Sequence, residues 1–300
     1  MRVSLARRRA LRLLALAAAA PAAVAAAAAA VPFSRGLLFR IDASGKPPSW
    51  VFGTMHSNDA RVTRLPAAVT SALAASRWFA AEILLLQAEP SAFFAAAQFD
   101  DGRRLTDHFD DATLAQVRDV LGGGAPSPEA FSRLKPWAVL LLLAQPPATG
   151  GGPTLDEILI DVARRQRMTA VGLELPEEQV AALDAVPLAS QAALVRWTLA
   201  HRAELPFDHE RAVRTWMRGD LAGLAALAAA PGRRDPAVAP HFAELTKHLV
   251  VNRSAQMAHR LFVPLRTGRV FVAVGALHLY GTQGLPALIR DQGHRVTRIG

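Results

Sequence analysis

Residues 269–281, RVFVAVGALHLYG, constrain the fold of this chain more than any other segment. Five apolar residues at 270–274 follow one another and are closed by Gly275. A short apolar run that is rich in β-branched residues and ends at glycine indicates a strand buried on both faces, as in the middle of a helix-covered sheet. His278 would then lie just past the carboxyl end of the strand, the edge where open α/β sheets hold their ligands.

A second unit of the same kind lies near the other end of the chain. Residues 50–52 (WVF) lead into Gly53, and His56 follows three positions later. Glycine permits close backbone approaches that a side chain would block. A single histidine after a strand is more often a structural residue than a ligand, but two matching units predict that both histidines face one crevice.

The first thirty residues have the layout of an export signal. Arginines at the start precede an apolar stretch at 11–20, and small residues at 21–30 provide an A-x-A type cleavage site. An uncleaved anchor is the alternative, because residues 11–31 are long enough to span a bilayer. We predict a signal peptide at 1–30, one domain at 31–300, no further membrane span, and a periplasmic or secreted protein.

The composition excludes several classes of protein. Five of the 34 basic residues lie in the leader, which leaves 29 basic and 25 acidic residues spread along the remainder. That distribution does not indicate a nucleic-acid-binding surface. The absence of cysteine excludes disulfides, thiolate metal sites and a cysteine nucleophile. The chain also lacks H-E-x-x-H, G-x-S-x-G, P-loop and G-x-G-x-x-G motifs, so we expect no zincin, serine hydrolase or nucleotide enzyme.

Strand and helix patterns alternate at both ends of the chain around a largely helical middle section. The predicted strands lie at 36–42, 49–53, 77–86, 169–173, 270–274 and 295–299. The longer predicted helices lie at 66–76, 127–145, 154–167, 188–205, 208–217, 220–229, 236–264 and 285–292. This order predicts an α/β (α+β) domain with a mixed central β-sheet flanked by helices.

Three further charged residues are candidates for the same crevice. Glu82 lies inside the apolar run at 77–86, where an ionised carboxylate is costly unless it is paired or binds a cation. A surface position on an edge strand is the alternative for Glu82. Glu174 follows a predicted strand and precedes a helix, so a helix cap is an equally good interpretation. Arg253 is a candidate for balancing negative charge in a reaction.

His56, Glu82 and His278 form a set of two imidazoles and one carboxylate. Such sets bind zinc, manganese, cobalt or iron with positions left open for water and substrate. A metal held in this way activates water and polarises a carbonyl, so hydrolysis is the natural reaction. Without a metal, a histidine–glutamate pair can act as a general base, with Arg253 balancing the developing charge.

At these residues the sequence resembles the TraB/GumN family, which is related to the TIKI metalloproteases and more distantly to erythromycin esterases and haem-binding ChaN proteins. The resemblance covers residues 36–299. It rests on GTMH at 53–56, Glu82, TLDE at 154–157, VGLE at 171–174 with Glu177-Glu178-Gln179, Asn252-Arg253, and GALHLYG at 275–281. The family often has an acid before the Asn-Arg pair and an aromatic residue after it, where this chain has Val251 and Gln256-Met257.

The resemblance implies a mixed-sheet α/β fold and metal-dependent peptide hydrolysis through His56, Glu82 and His278. The metal would be a divalent ion such as manganese, cobalt or zinc, and Glu174 and Arg253 would support the reaction. Our first hypothesis is therefore an exported metal-dependent hydrolase that acts on a peptide or small-molecule substrate. The second is a non-catalytic binding protein that sequesters a peptide signal or a haem-like ligand.

Overall fold

The strands of this chain form a mixed sheet in the order β4-β3-β5-β2-β1-β6. A computed structural model describes residues 31–84, 90–145 and 151–299. The predicted signal peptide at 1–30 lies outside these ranges, as do the end of the predicted strand at 77–86 and part of the loop at 146–153. The strands are β1 (Leu38–Asp42), β2 (Ser49–Thr54), β3 (Trp78–Ala81), β4 (Thr169–Gly172), β5 (Val270–Gly275) and β6 (Arg295–Ile299).

The sheet is parallel in its centre and antiparallel at one side. Strand β5 pairs in parallel with both β2 and β3, and β3 pairs in parallel with β4. Strand β1 pairs antiparallel with β2 and with β6. The predicted α/β fold with a mixed sheet is therefore confirmed, and so is the hairpin that begins the domain.

Strand β5 lies in the middle of the sheet, as its apolar sequence predicts. Residues 270–274 are each at most 4% exposed, because strands cover both edges of β5 and helices cover its faces. Phe271 stacks on Phe79 of β3, with ring centroids 6.2 Å apart. The central strand thus anchors the main hydrophobic core.

Most helices of the described chain differ from the predicted ones mainly at their ends, whereas the short helices Ala60–Thr63 and Ala230–Arg234 were not predicted. They span Ala60–Thr63, Ala67–Ala74, Pro90–Ala96, Asp111–Leu121, Pro128–Arg133, Pro136–Leu143, Leu155–Arg165, Pro176–Asp184, Leu188–Ala200, Leu205–Met217, Leu221–Ala228, Ala230–Arg234, Ala239–Thr246, Arg253–Thr267 and Leu285–Asp291. The predicted helix at 127–145 is two helices, because Pro136 begins a new one. Within the described ranges, no helix is both long and apolar enough to cross a bilayer.

The helical middle section builds a second hydrophobic core beside the one on the sheet. Phe131, Trp137, Leu143 and Val195 are among its buried members. They come from helices in the first and second halves of the middle section. The chain thus encloses apolar space between helices as well as between helices and sheet.

The predicted helix at 236–264 is one helical stretch over 239–267, but its centre is not α-helical. Residues Lys247–Asn252 form π-helix, with wider turns than the flanking α-helix. Hydrophobic periodicity does not reveal such a segment, since one turn of different pitch leaves the overall pattern intact. The π-helical segment ends directly before Arg253 and the buried Ser254.

Gly53 in β2 is a glycine because the turn after β5 lies against it. A β-carbon at position 53 would be 2.6 Å from Leu279 Cδ1 and 3.1 Å from Ala276 Cα. Leu279 is fully buried, so its side chain has little space to move away. The first glycine of the repeated unit is therefore required for packing.

We expect Gly53→Ala to destabilise the fold by about 1–3 kcal/mol, the usual cost of overpacking a closed site. Urea unfolding measures the difference. Gly123→Ala is the matched control, because no atom lies within 4 Å of a β-carbon placed there. Equal stability of the two variants would contradict this account of Gly53.

Candidate active site

The two strand-Gly-x-x-His units end at the same edge of the sheet. Strands β2 and β5 are parallel neighbours, and Thr54 pairs with Gly275 in their register. Strand β3 lies on the other side of β5 and ends at Ala81. His56, Glu82 and His278 consequently line one crevice of about 580 Å³. The structure brings together all three residues that the sequence pattern predicts.

Glu82 lies at the end of β3, not inside the strand. The predicted strand at 77–86 is wrong at this point, because β3 ends at Ala81. Glu82 Oε1 accepts a hydrogen bond of 2.6 Å from the backbone N–H of Gly275. A β-carbon at Gly275 would lie 3.2 Å from that oxygen. The second glycine of the repeated unit therefore leaves space for the carboxylate.

Arg253 joins Glu82 to Glu174. Its Nη2 atom donates to Glu82 Oε2 and to Glu174 Oε2, each at 2.6 Å, and its Nε atom donates to Glu174 Oε1 at 2.9 Å. The Glu174 side chain is 1% exposed, whereas those of Glu82 and Arg253 are each 14% exposed. One guanidinium thus compensates two carboxylates at the base of the crevice.

Glu174 does not cap the helix that follows it. Glu178 accepts the Leu175 N–H at 2.8 Å and so fills that role. Glu174 contacts Arg253 and Gln179 instead. Glu174 does not line the crevice itself, but it holds Arg253 in position there.

The charged neighbours of Glu82 keep it ionised. Burial alone would raise its pKa, but the imidazolium that His278 forms in acid, the positive charge of Arg253 and the Gly275 N–H outweigh burial. The pKa of Glu82 therefore lies below its ordinary value. The burial of Arg253 opposes its charged form, but the two glutamates more than compensate and raise its pKa.

His278 lies in the turn Ala276–Leu279 and is 5% exposed. Its Nδ1 is 2.9 Å from Ser254 Oγ, and that hydroxyl donates its one hydrogen to Val250 O at 2.8 Å. Nδ1 must therefore carry the proton that Ser254 accepts. The lone pair of neutral His278 is on Nε2, which lies 3.8 Å from Glu82 Oε1.

Burial lowers the pKa of His278, and the charge of Glu82 offsets this only in part. His278 is therefore neutral at pH 7 and presents an unprotonated Nε2 to the crevice. A neutral imidazole in this tautomer can accept a proton or bind a metal ion.

His56 has a very different environment. Its side chain is 73% exposed, and its Nδ1 lies 2.8 Å from Asp156 Oδ2. The Thr54 hydroxyl donates to the other oxygen, Asp156 Oδ1, at 2.7 Å. The hydrogen bond with Asp156 raises the pKa of His56 to about 8, although burial of part of the ring opposes the rise. His56 therefore carries a proton at neutral pH.

Asp156 and Ser254 are the site residues that sequence patterns did not assign. Asp156 belongs to the TLDE segment, where an acid in the first turn of a helix is explained by the helix dipole alone. Its partner Thr54 is 102 positions away. Ser254 resembles any buried serine of a helix. Neither residue carries a local signal, because its role depends on a distant part of the chain.

The crevice contains donor atoms of the kinds that a divalent metal ion could bind. Each imidazole has its Nδ1 within 2.9 Å of an oxygen of another side chain. This leaves Nε2 as the atom that could bind a metal ion, an arrangement that is usual for metal-binding histidines. Glu82 adds a carboxylate to the same crevice, 3.8 Å from His278 Nε2. In the parts of the chain that the structure describes, no group of three or more His, Asp or Glu side chains is close enough together to hold a metal ion.

These features define an α/β protein with a histidine- and carboxylate-lined crevice at the carboxyl edge of its sheet. The sequence profile of the TraB/PrgY/gumN family matches residues 37–298. The chain belongs to this family, as the two Gly-x-x-His units predict. No curated protein and no solved structure matches the chain.

We expect Arg253→Met to destabilise the fold by about 3–5 kcal/mol at pH 7, because it leaves two carboxylates without their partner. Folding lowers the pKa of Glu82, so its pairing stabilises the fold above pH 4.5, its ordinary pKa, and that contribution is lost as the pH falls. The difference between wild type and variant should therefore narrow in acid. Urea unfolding at pH values from about 3 to about 7, in steps of about one unit, measures this difference in the free energy of unfolding.

Arg266→Met on the same helix is the control for Arg253→Met. Arg266 is exposed, so its loss should change the stability by no more than about 0.5 kcal/mol. If the two variants are equally stable, Arg253 does not hold the carboxylates together.

We expect the pKa of His56 to fall from about 8 toward its ordinary value of 6.5 in Asp156→Asn. Nuclear magnetic resonance titration of the ring protons measures it. Asp161→Asn is the control, because Asp161 pairs only with arginines of its own helix among the described contacts. Folding raises the pKa of His56, so the pair stabilises the fold below pH 6.5 and this contribution is lost as the pH rises through 8. An unchanged titration would show that Asp156 does not hold the proton on His56.

Proposed function

We propose that this chain is a hydrolase, a metal-dependent peptidase, in which His56, Glu82 and His278 bind a divalent ion such as manganese, cobalt or zinc. The observation that carries the proposal is that two imidazoles, each with its Nδ1 next to an oxygen of another side chain, line one crevice together with an ionised carboxylate. When bound, such an ion lowers the pKa of a coordinated water and polarises a carbonyl.

The charge balance of the site supports a cation. The carboxylates of Glu82, Glu174 and Asp156 face one guanidinium and one protonated imidazole, so one negative charge is left uncompensated. A divalent ion bound in place of the His56 proton would neutralise the site. Metal affinity should consequently rise with pH, since the ion and the proton compete for His56.

The residues around the three ligands fix their orientation. Asp156 holds the His56 ring, and Ser254 fixes the tautomer of His278. Arg253 lines the crevice while it binds Glu82, so its positive charge lies next to the place where negative charge would develop on a carbonyl oxygen. These are the requirements of a preorganised hydrolytic site.

The same protonation states also suit catalysis without a metal. Neutral His278 can take a proton from water through Nε2, and protonated His56 can give a proton to the leaving amine. The opposite pKa shifts of the two histidines are typical of a paired base and acid. A chelator distinguishes the two mechanisms, because it removes activity only if hydrolysis depends on a metal.

Most of the crevice wall is apolar. Met55, Trp216, Val250 and Leu277 are among its lining residues. The Trp216 indole donates to the carbonyl of Gly53 at 3.1 Å and is held in place by that bond. Apolar walls limit water near the ionised groups and favour a substrate with apolar groups on either side of the reacting carbonyl.

We expect Glu82→Gln and His278→Ala each to lower kcat/KM for peptide cleavage by at least about 100-fold, since each removes a group that activates water. A library of fluorogenic peptides, assayed with added Mn²⁺, Co²⁺ or Zn²⁺, measures cleavage. Mass spectrometry of the equilibrated protein measures bound metal, which both variants should lose. His259→Ala is the control, because His259 is exposed and does not line the crevice.

Three results would decide between the alternatives. Cleavage that survives chelation but not the His278 variant would replace the metal-dependent form by acid–base catalysis. Equal cleavage by wild type and both variants would overturn the assignment of these residues. Recovery of an intact bound peptide, without cleavage under any of the metals, would favour the binding protein that sequesters a peptide signal.

The leader predicted at 1–30 supports action in the periplasm or outside the cell.

A further inference from the structure

An apolar cavity of about 260 Å³ lies among the helices of the middle section. Its walls come mainly from the helices Pro136–Leu143 and Leu188–Ala200 and from the helical stretch at 239–252. Trp137, Trp197 and Phe242 supply its aromatic surface. No charged residue is among the side chains that line it.

This cavity adjoins the active-site crevice. Ala144 and Leu205 line both spaces. Leu249 lines the cavity, and the next residue in the π-helical segment, Val250, lines the crevice. The carbonyl of Leu249 accepts a hydrogen bond of 3.2 Å from Arg253. A group bound in the cavity would thus contact Leu249, whose carbonyl is bonded to Arg253 of the site.

The lining of the cavity suits an apolar group and not a charged one. Gln191 is its most buried polar side chain, and all of its hydrogen-bonding groups are engaged with the Trp137 N–H and the carbonyls of Leu183 and Val186. The Trp197 Nε1–H is buried and has no acceptor among the described residues. A charged group would find no opposite charge in the lining.

The size of the cavity indicates what part of a ligand it holds. It is larger than an engineered cavity of roughly 150 Å³ that binds benzene. It is smaller than the roughly 300–1,000 Å³ of pockets that enclose a whole drug-sized ligand. One large side chain fits this range, whereas a macrocycle such as haem does not.

We propose that this cavity is the specificity pocket of the site and takes one bulky apolar side chain, such as leucine, methionine or phenylalanine, from a peptide whose scissile bond lies in the crevice. The proposal rests on the hydrolytic function proposed above. It adds the class of substrate, a peptide with a large apolar residue near the cleaved bond, which the catalytic residues alone do not specify.

Peptide cleavage tests the pocket. A peptide library with each position fixed in turn should show at least a tenfold preference for leucine or phenylalanine over alanine at one position, and exclusion of aspartate and lysine there. Leu245→Trp reduces the volume of the cavity at a position that does not line the crevice. Ala144→Phe reduces it where the cavity adjoins the crevice. Both variants should reduce that preference. Ala68→Phe, on an exposed helix surface, should leave the preference unchanged.

A binding measurement keeps the pocket testable if no peptide is cleaved. The indole N–H signals of Trp137 and Trp197 report on the cavity in ¹H–¹⁵N spectra. N-acetyl-leucinamide should shift the Trp197 signal saturably, and N-acetyl-aspartamide should not. Leu245→Trp and Ala144→Phe should abolish the shift.

The two measurements separate the two proposals. A saturable shift without any cleavage would support the pocket and overturn the hydrolase. Cleavage without a preference for bulky apolar residues, or cleavage without a saturable shift, would overturn the pocket and leave the hydrolase standing. The absence of both cleavage and a shift would overturn both proposals.

Discussion

The ion-pair cluster of Arg253 with Glu82 and Glu174 is the interaction on which the site depends. Each carboxylate follows the end of a strand, β3 or β4, and the guanidinium comes from the helical stretch that covers them. Without the guanidinium, two carboxylates would be left close together in a poorly hydrated space, which is costly. The cluster therefore fixes the strand ends relative to the helix and holds Glu82 beside His278. The Gly275 N–H adds the third strand, β5, to the same carboxylate.

The two histidines have the same local sequence context but opposite protonation behaviour. Each follows a strand and a glycine, yet His278 is buried against Ser254 and His56 is exposed beside Asp156. Burial disfavours the imidazolium of His278, whereas the carboxylate favours that of His56. Tertiary environment, and not motif, thus gives one unit a free lone pair and the other a proton. A crevice with both kinds of imidazole is suited to moving protons as well as to binding a cation.

Sequence reasoning succeeded where the signal is local and failed where the partner is distant. The apolar run of β5 is buried because only a central strand can hide such residues on both faces, so the strand and its edge were predictable. Parallel pairing of β2 and β5 then brings the two histidines together. Asp156 and the π-helical segment were not predictable, since an acid at a helix start and one wider helical turn leave no pattern. The end of β3 was missed because the apolar run continues beyond it, and the length of such a run does not show where the strand ends.

The chemistry and the apolar space of this chain come from different parts of the sequence. Strand ends supply Glu82 and the histidines, whereas helices of the middle section enclose the cavity behind Ala144 and Leu205. Trp137 and other residues of this helical wall belong to the second hydrophobic core and not to the core on the sheet, so their size affects the cavity without direct contact with the strands. The π-helical segment lies between the two regions, with Leu249 on the cavity side and Arg253 at its end on the charged side. A chain organised in this way can keep the charged groups of its crevice fixed while the helical wall sets the size of the apolar space.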